Sequence, residues 1–94
     1  MTVYVAWAPD LPPLADLAGP WTELKLAAPG LLLVESDETL SRVFHELKWA
    51  LPGDAPLFVV PAGATPKLRH LEDGTLSWLR ERIPRCRPQD RATG

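Results

Sequence analysis

The chain has 94 residues, of which 46% are hydrophobic and 23% are charged. This length suits one domain with one modest core, and the composition excludes the disordered and fibrous classes. Because the formal net charge is -2, the molecule as a whole offers no general electrostatic attraction to nucleic acid or to an anionic membrane.

The single cysteine, Cys86, excludes an intramolecular disulfide. The first residues, MTVYVAWAPD, lack a basic segment and a long apolar run, and nowhere is an apolar stretch long enough for a membrane span. These features favour a cytoplasmic location, where thiols stay reduced.

The first predicted strand covers Val3 to Trp7, where β-branched and aromatic residues are concentrated. The next segment, LPPLADLAGP, predicts a short helix or a single turn, because two prolines begin it and a Gly-Pro pair stops it. A β-hairpin is predicted from Trp21 to Glu35, where WTELKL alternates between polar and apolar side chains. Pro29 and Gly30 favour a type II turn between its strands, since proline presets φ and glycine accepts a positive φ.

The segment ESDETLSRVFHELKWAL predicts an amphipathic helix that Ser36 or Asp37 caps at its amino terminus. Its apolar residues recur at helical spacing, at Leu40, Val43, Phe44, Leu47, Ala50 and Leu51. A fourth strand is predicted from Leu57 to Val60, between two prolines that a sheet tolerates only at strand ends or on an edge.

The chain to Pro61 therefore follows the order β-α-β-β-α-β. This order predicts an α+β, ferredoxin-like sandwich with an antiparallel sheet of order 4-1-3-2 and both helices on one face. A short amphipathic helix is predicted after it. We expect one domain over residues 1–84 and a basic, disordered tail over residues 85–94.

Two helices cover only one face of such a sheet, yet three predicted strands are apolar at nearly every position. The second face needs a cover. A homodimer that stacks two sheets or joins their edges is one cover, and the C-terminal helix is the other. Of the two, we favour a homodimer.

The order of the elements, the short first strand, the long second helix and the Trp78-Leu79 pair are together similar to a known family. It is the family of small CRISPR-associated spacer-acquisition nucleases and their SinR-like relatives. The segment LLLVESDETLSRVFHELKWALPGDAPLFVV carries most of the resemblance, which covers Thr2 to Leu79. It implies a small dimeric protein in a bacterial defence, mobile-element or regulatory setting, and related folds also serve in toxin-antitoxin and DNA-scaffolding roles.

The resemblance also implies an aspartate at the end of the first strand, where one from each subunit could hold a divalent metal such as Mg²⁺. This chain has Ala6, Trp7 and Ala8 at that place, and Asp10 arrives later, after a proline. Asp10 is thus the alternative catalytic residue, and its other role is to cap the helix that follows.

Two sets of charged residues share one end of the predicted sheet. The acidic set is Glu35, Asp37 and Glu38, and the basic set is Lys67, Arg69 and His70. The acids can be helix caps and dipole partners or a metal site. The basic residues can bind phosphates or form salt bridges to the acids.

Further basic residues lie at the end of the chain. Five of the ten are Arg80, Arg82, Arg85, Arg87 and Arg91. A basic tail can grip a phosphate backbone without sequence preference, although charged termini are also commonly just solvated.

His45 and Trp49 lie one turn apart on the polar side of the long helix. Because tryptophan is enriched at interfaces, this pair predicts a partner-binding face. The alternative is that Trp49 folds over the helix end against the core rim.

Together these patterns predict a dimeric binding module for a protein partner or a nucleic acid, without catalysis or cofactor. The alternative is a metal-dependent nuclease that uses Mg²⁺ and Asp10 from both subunits.

Overall fold

A four-stranded antiparallel sheet forms the centre of the computed structural model, which describes residues 1–64 and 66–83. The strands are β1 (Thr2–Trp7), β2 (Glu23–Ala28), β3 (Leu31–Ser36) and β4 (Phe58–Ala62). Their order across the sheet is β2-β3-β1-β4, which is the predicted order read from the other edge. The two α-helices are α1 (Leu40–Ala50) and α2 (Thr75–Arg82). The α+β class and the strand order are therefore confirmed.

The connection from β1 to β2 forms a 3-10 turn, Leu14–Asp16. Of the two predicted possibilities, a short helix or a single turn, the structure has the single turn. Prolines immediately before the turn supply no N–H donors, and the Gly-Pro pair soon after it leaves room for little more than one turn. Leu17 is buried at the end of the turn, and its carbonyl oxygen accepts a hydrogen bond from Trp21 Nε1 at 3.3 Å. One turn is therefore enough to bring these apolar side chains onto the sheet.

The first face of the sheet packs against this turn and α1. Its buried core is Tyr4, Ala6, Leu17, Leu32, Val34, Val43 and Leu47. The residue that caps α1 is Thr39, whose side chain accepts a hydrogen bond from Arg42 N at 3.2 Å. Ser36, one of the two expected caps, is buried one turn earlier, and its hydroxyl accepts from Glu38 N at 3.0 Å. Tyr4 donates to the carbonyl oxygen of Glu38 at 2.7 Å, which fixes the start of α1 over β1.

The second face packs against α2 and the segment before it. Its buried core is Val3, Ala27, Leu33, Trp78, Leu79 and Ile83. The chain crosses from β4 at one edge to β2 at the other, where Glu72 N donates to Ala27 O at 2.7 Å. Thr75 then donates its hydroxyl proton to Glu72 O at 2.7 Å and begins α2. The C-terminal helix, the cover we did not favour, therefore occupies the part of this face over β1, β2 and β3.

Candidate protein-binding surfaces

Three aromatic rings contact one another in sequence along α1, and we call them the α1 aromatic face: Phe44, His45 and Trp49. The ring centroids of His45 and Trp49 are 6.0 Å apart with an interplanar angle of 28°, and Phe44 meets His45 edge-on at 5.6 Å. The helix places His45 and Trp49 together because they are four residues apart. Trp49 is 71% exposed and so does not fold against the core rim.

A second exposed apolar surface, the β4 patch, consists of Trp7, Phe58 and Val60. Trp7 pairs directly with Phe58 across the β1-β4 ladder, and Val60 follows two residues later on the same face. The three side chains are 48%, 60% and 37% exposed. They lie on the face that α2 covers, but α2 sits towards the opposite edge, where it packs on β2. This half of the second face therefore remains open to solvent.

Sequence reasoning missed the β4 patch, although a signal was present. The prolines that flank Phe58 to Val60 indicated an edge strand, and an edge strand is the part of a sheet that a single helix leaves uncovered. The pattern could not show which half of the face α2 would occupy, because that depends on contacts between distant residues.

The predicted phosphate-binding loop is exposed. Lys67, Arg69 and His70 are all exposed, and they form no ion pair with any residue in 1–64 or 66–83. The salt bridges expected between this loop and the acidic set are therefore not formed. His70 has φ 61, a left-handed conformation that is uncommon outside glycine, and Glu72, two residues later, donates its N–H to Ala27 of β2.

The two predicted phosphate-binding arginines of α2 differ in their surroundings. Arg80 is exposed and forms no ion pair within the described part of the chain. Arg82, in contrast, bonds to Glu35 at 2.6 Å and to Glu23 at 2.9 Å. It would have to leave both carboxylates to bind a phosphate. Arg85 and Arg87, with the rest of the predicted tail, lie outside the described residues.

Arg82 also stacks on an aromatic ring, since its guanidinium carbon lies 4.1 Å from the Trp78 ring centroid. Burial by itself lowers the pKa of the Arg82 guanidinium. The hydrogen bond and charge of Glu35, with the charge of Glu23 and a hydrogen bond to Glu81, outweigh burial and raise that pKa above its ordinary value. Arg82 therefore stays charged throughout the working pH range and acts as an ionic clamp between α2 and the sheet.

The predicted acidic residues do not gather into a metal site. Asp10 is exposed in the turn after β1, and no group of three His, Cys, Asp or Glu side chains suited to a metal occurs among the described residues. In the acidic set, Glu35 pairs with Arg82, and Asp37 lies 3.3 Å from the amino-terminal nitrogen of Met1.

A shallow groove of about 340 Å³ lies beside the turn between β2 and β3. Prolines and leucines line it, together with Gly30. It therefore offers no titratable side chain for acid-base or nucleophilic chemistry.

Comparisons of this chain with protein-family models, with curated proteins and with solved structures find no match. Within residues 1–64 and 66–83, no helix is long and apolar enough to span a membrane. The exposed surfaces of the chain are therefore the features that bear on its function.

Proposed function

We propose that this chain is a small, non-catalytic, cytoplasmic binding module that acts as a homodimer and recognises a protein partner through the α1 aromatic face. Its fold is a variant of the ferredoxin-like sandwich in which one 3-10 turn replaces the first crossover helix. The bacterial defence, mobile-element or regulatory setting belongs to the same proposal and rests on the sequence resemblance.

The observation that carries this function is the exposure of Trp49. A tryptophan that is 71% exposed leaves a large apolar surface in water, and burial of such a surface is a major source of binding energy at interfaces. The ring is also held in position, because it stacks on His45, which in turn contacts Phe44. A preordered ring loses little side-chain entropy when a partner covers it.

The charges around the α1 aromatic face suit a protein partner better than a nucleic acid. Arg42 is paired with Glu46 on the same helix at 3.3 Å. Lys48 is the only exposed cation next to Trp49 in the described α1, and the molecule is net negative. A phosphate backbone would gain little electrostatic attraction at this face.

A capture experiment tests the α1 aromatic face. The full chain, its Trp49→Ala variant and a Leu40→Ala control are each used to retain proteins from nuclease-treated lysate, and a retained protein is then purified and titrated by calorimetry. Because Trp49 is a central exposed aromatic, Trp49→Ala should raise the Kd of that protein about 30-fold. Leu40 is also an exposed apolar residue but lies at the opposite end of α1, so Leu40→Ala should leave the Kd within about threefold of wild type.

Two outcomes would contradict this function. Equal retention by wild type and Trp49→Ala would show that the α1 aromatic face is not the binding surface. In a parallel capture from untreated lysate, retention that is absent after nuclease treatment, and that Lys67→Glu weakens while Trp49→Ala does not, would show that the ligand is a nucleic acid bound by the exposed loop.

A further inference from the structure

We propose that two copies of this chain join through the outer edges of their β4 strands, antiparallel and centred on Val59, to form a continuous eight-stranded sheet. This inference rests on the proposed homodimer and specifies its interface, which is separate from the α1 aromatic face. The proposed function does not involve the β4 patch, and this dimer gives that patch a role.

The backbone of β4 has an open hydrogen-bonding edge. Ala8 N donates to Gly30 O at 2.7 Å, in continuation of the β1-β3 register, so even-numbered residues of β1 bond to β3. Odd-numbered residues of β1 therefore bond to β4, and they pair there with the even-numbered residues Phe58, Val60 and Ala62. Val59 and Pro61 consequently direct their backbone groups outward, away from β1.

The outward groups suit an antiparallel copy of the same strand. In a pairing centred on Val59, its N–H and carbonyl exchange hydrogen bonds with the partner's Val59. Pro61 has no N–H, but its carbonyl accepts from Leu57 N–H of the partner subunit. Because Pro61 lies at the end of the shared ladder, its missing N–H removes one hydrogen bond at the end of the interface and none at its centre.

The side chains are complementary in the same register. Phe58 lies opposite Val60 of the partner subunit, in a pair that is not hydrogen-bonded and whose side chains approach closely. The two-fold axis repeats this contact, so the two exposed residues of each β4 cover each other. Trp7 lies beside Phe58 on the same face and extends the apolar surface.

Charge does not oppose this pairing. The sequence has no charged residue between Asp54 and Lys67. Sheet edges that avoid association commonly carry a lysine or another charge, and this edge has only its short length and Pro61 as protection.

The size of the β4 patch predicts a weak dimer. Its three side chains expose about 300 Å² per copy, judged from the area of buried aromatic residues, compared with about 800 Å² per partner in a standard interface. We therefore expect a Kd in the micromolar range. In this dimer the two β1 strands end on opposite sides of the axis, with their Ala8 residues roughly 20 Å apart, so Asp10 from two copies does not converge on one metal ion.

Analytical ultracentrifugation of the full chain over the micromolar range tests the interface. The mass of wild type should rise with concentration from 10.4 kDa towards twice that value. Phe58→Lys and Val60→Glu should each weaken self-association at least about tenfold, since each places a charge against an apolar side chain. An equimolar mixture of the two variants should dimerise again, because the introduced lysine and glutamate face each other while the second Phe58-Val60 contact stays native. An equimolar mixture of Phe58→Glu and Val60→Glu is the control and should not restore dimers, because the two introduced glutamates then face each other.

Each failure has a different meaning. A wild type that stays monomeric throughout would overturn both this interface and the homodimer in the proposed function, but not the binding of a protein through Trp49. A wild-type dimer that neither variant weakens would overturn the β4 interface alone. Weakening without rescue in the mixture would overturn the register centred on Val59. Circular dichroism of each variant checks folding, which these exposed positions should not disturb.

Discussion

At the scale of single residues, the backbone conformation at position 30 requires glycine. Its φ is +78, and an added Cβ would lie 3.2 Å from Pro9 Cα. The carbonyl of Gly30 also accepts the hydrogen bond from Ala8 N, so the turn between β2 and β3 cannot shift without loss of that bond. Any residue with a side chain here combines a strained φ with a crowded site.

We expect Gly30→Ala to lower the free energy of unfolding by about 1–2 kcal/mol, which urea titration would measure. Gly53→Ala is the matched control. A Cβ at Gly53 would meet no atom within 4 Å, and its φ lies outside the left-handed region, so the change should stay within about 0.5 kcal/mol. Equal effects of the two substitutions would contradict the requirement at Gly30.

At the scale of elements, Arg82 makes the ion pairs between α2 and the sheet. Glu23 and Glu35 pair directly across β2 and β3, an arrangement of like charges that destabilises a sheet by itself. Arg82 lies between them and bonds to both, while Trp78 covers its guanidinium and donates from Nε1 to Glu23 at 3.3 Å. The repulsion between Glu23 and Glu35 is thus offset by Arg82, which α2 places between them.

We expect Arg82→Met to lower the free energy of unfolding by about 2–3 kcal/mol at neutral pH, because the Glu35 side chain, which is 13% exposed, then lies beside Glu23 without a cation. Since the folded-state pKa of Arg82 is raised, the clamp is fully formed below the unfolded-state pKa and is lost only as the pH rises through the folded-state value, far into the alkaline range.

The matched control for the clamp is Arg80→Met, an exposed arginine on the same helix with no ion pair among the described residues. It should change the stability by no more than about 0.5 kcal/mol. A similar loss in both variants would show that the effect belongs to the helix and not to the clamp.

At the scale of the whole molecule, the sheet has a core on each face. The core under α1 contains Leu47, and the core under α2 contains Leu79, each 1% exposed. Because β1 and β3 contribute side chains to both cores, loss of either core leaves the same strands half-covered.

We expect Leu47→Ala and Leu79→Ala each to lower the free energy of unfolding by about 2–4 kcal/mol, within one cooperative transition. Leu40→Ala, at a position 40% exposed on α1, is the control and should cost less than about 1 kcal/mol. A small effect of Leu79→Ala alone would show that α2 is a loosely attached cover and that a partner protects the second face instead.

The sequence by itself determined the elements whose signals are local. The stripe with Val43 and Leu47 predicted α1, the Pro29-Gly30 pair predicted the turn, and the order of the apolar runs predicted the strand order. These signals are reliable because they depend on the period of a helix or strand and on the φ of residues adjacent in the chain.

Only the tertiary structure decided which surfaces meet. It made α2 the cover of the second face, left Phe58 open at the β4 edge, and turned Arg82 inward to Glu35 and Glu23, which are 47 and 59 residues away in sequence. The local sequence around a charged residue does not show whether its side chain faces water, a phosphate or a glutamate. The choice depends on long-range packing, because burial next to opposite charge changes the energy of a guanidinium far more than its neighbours in the chain do.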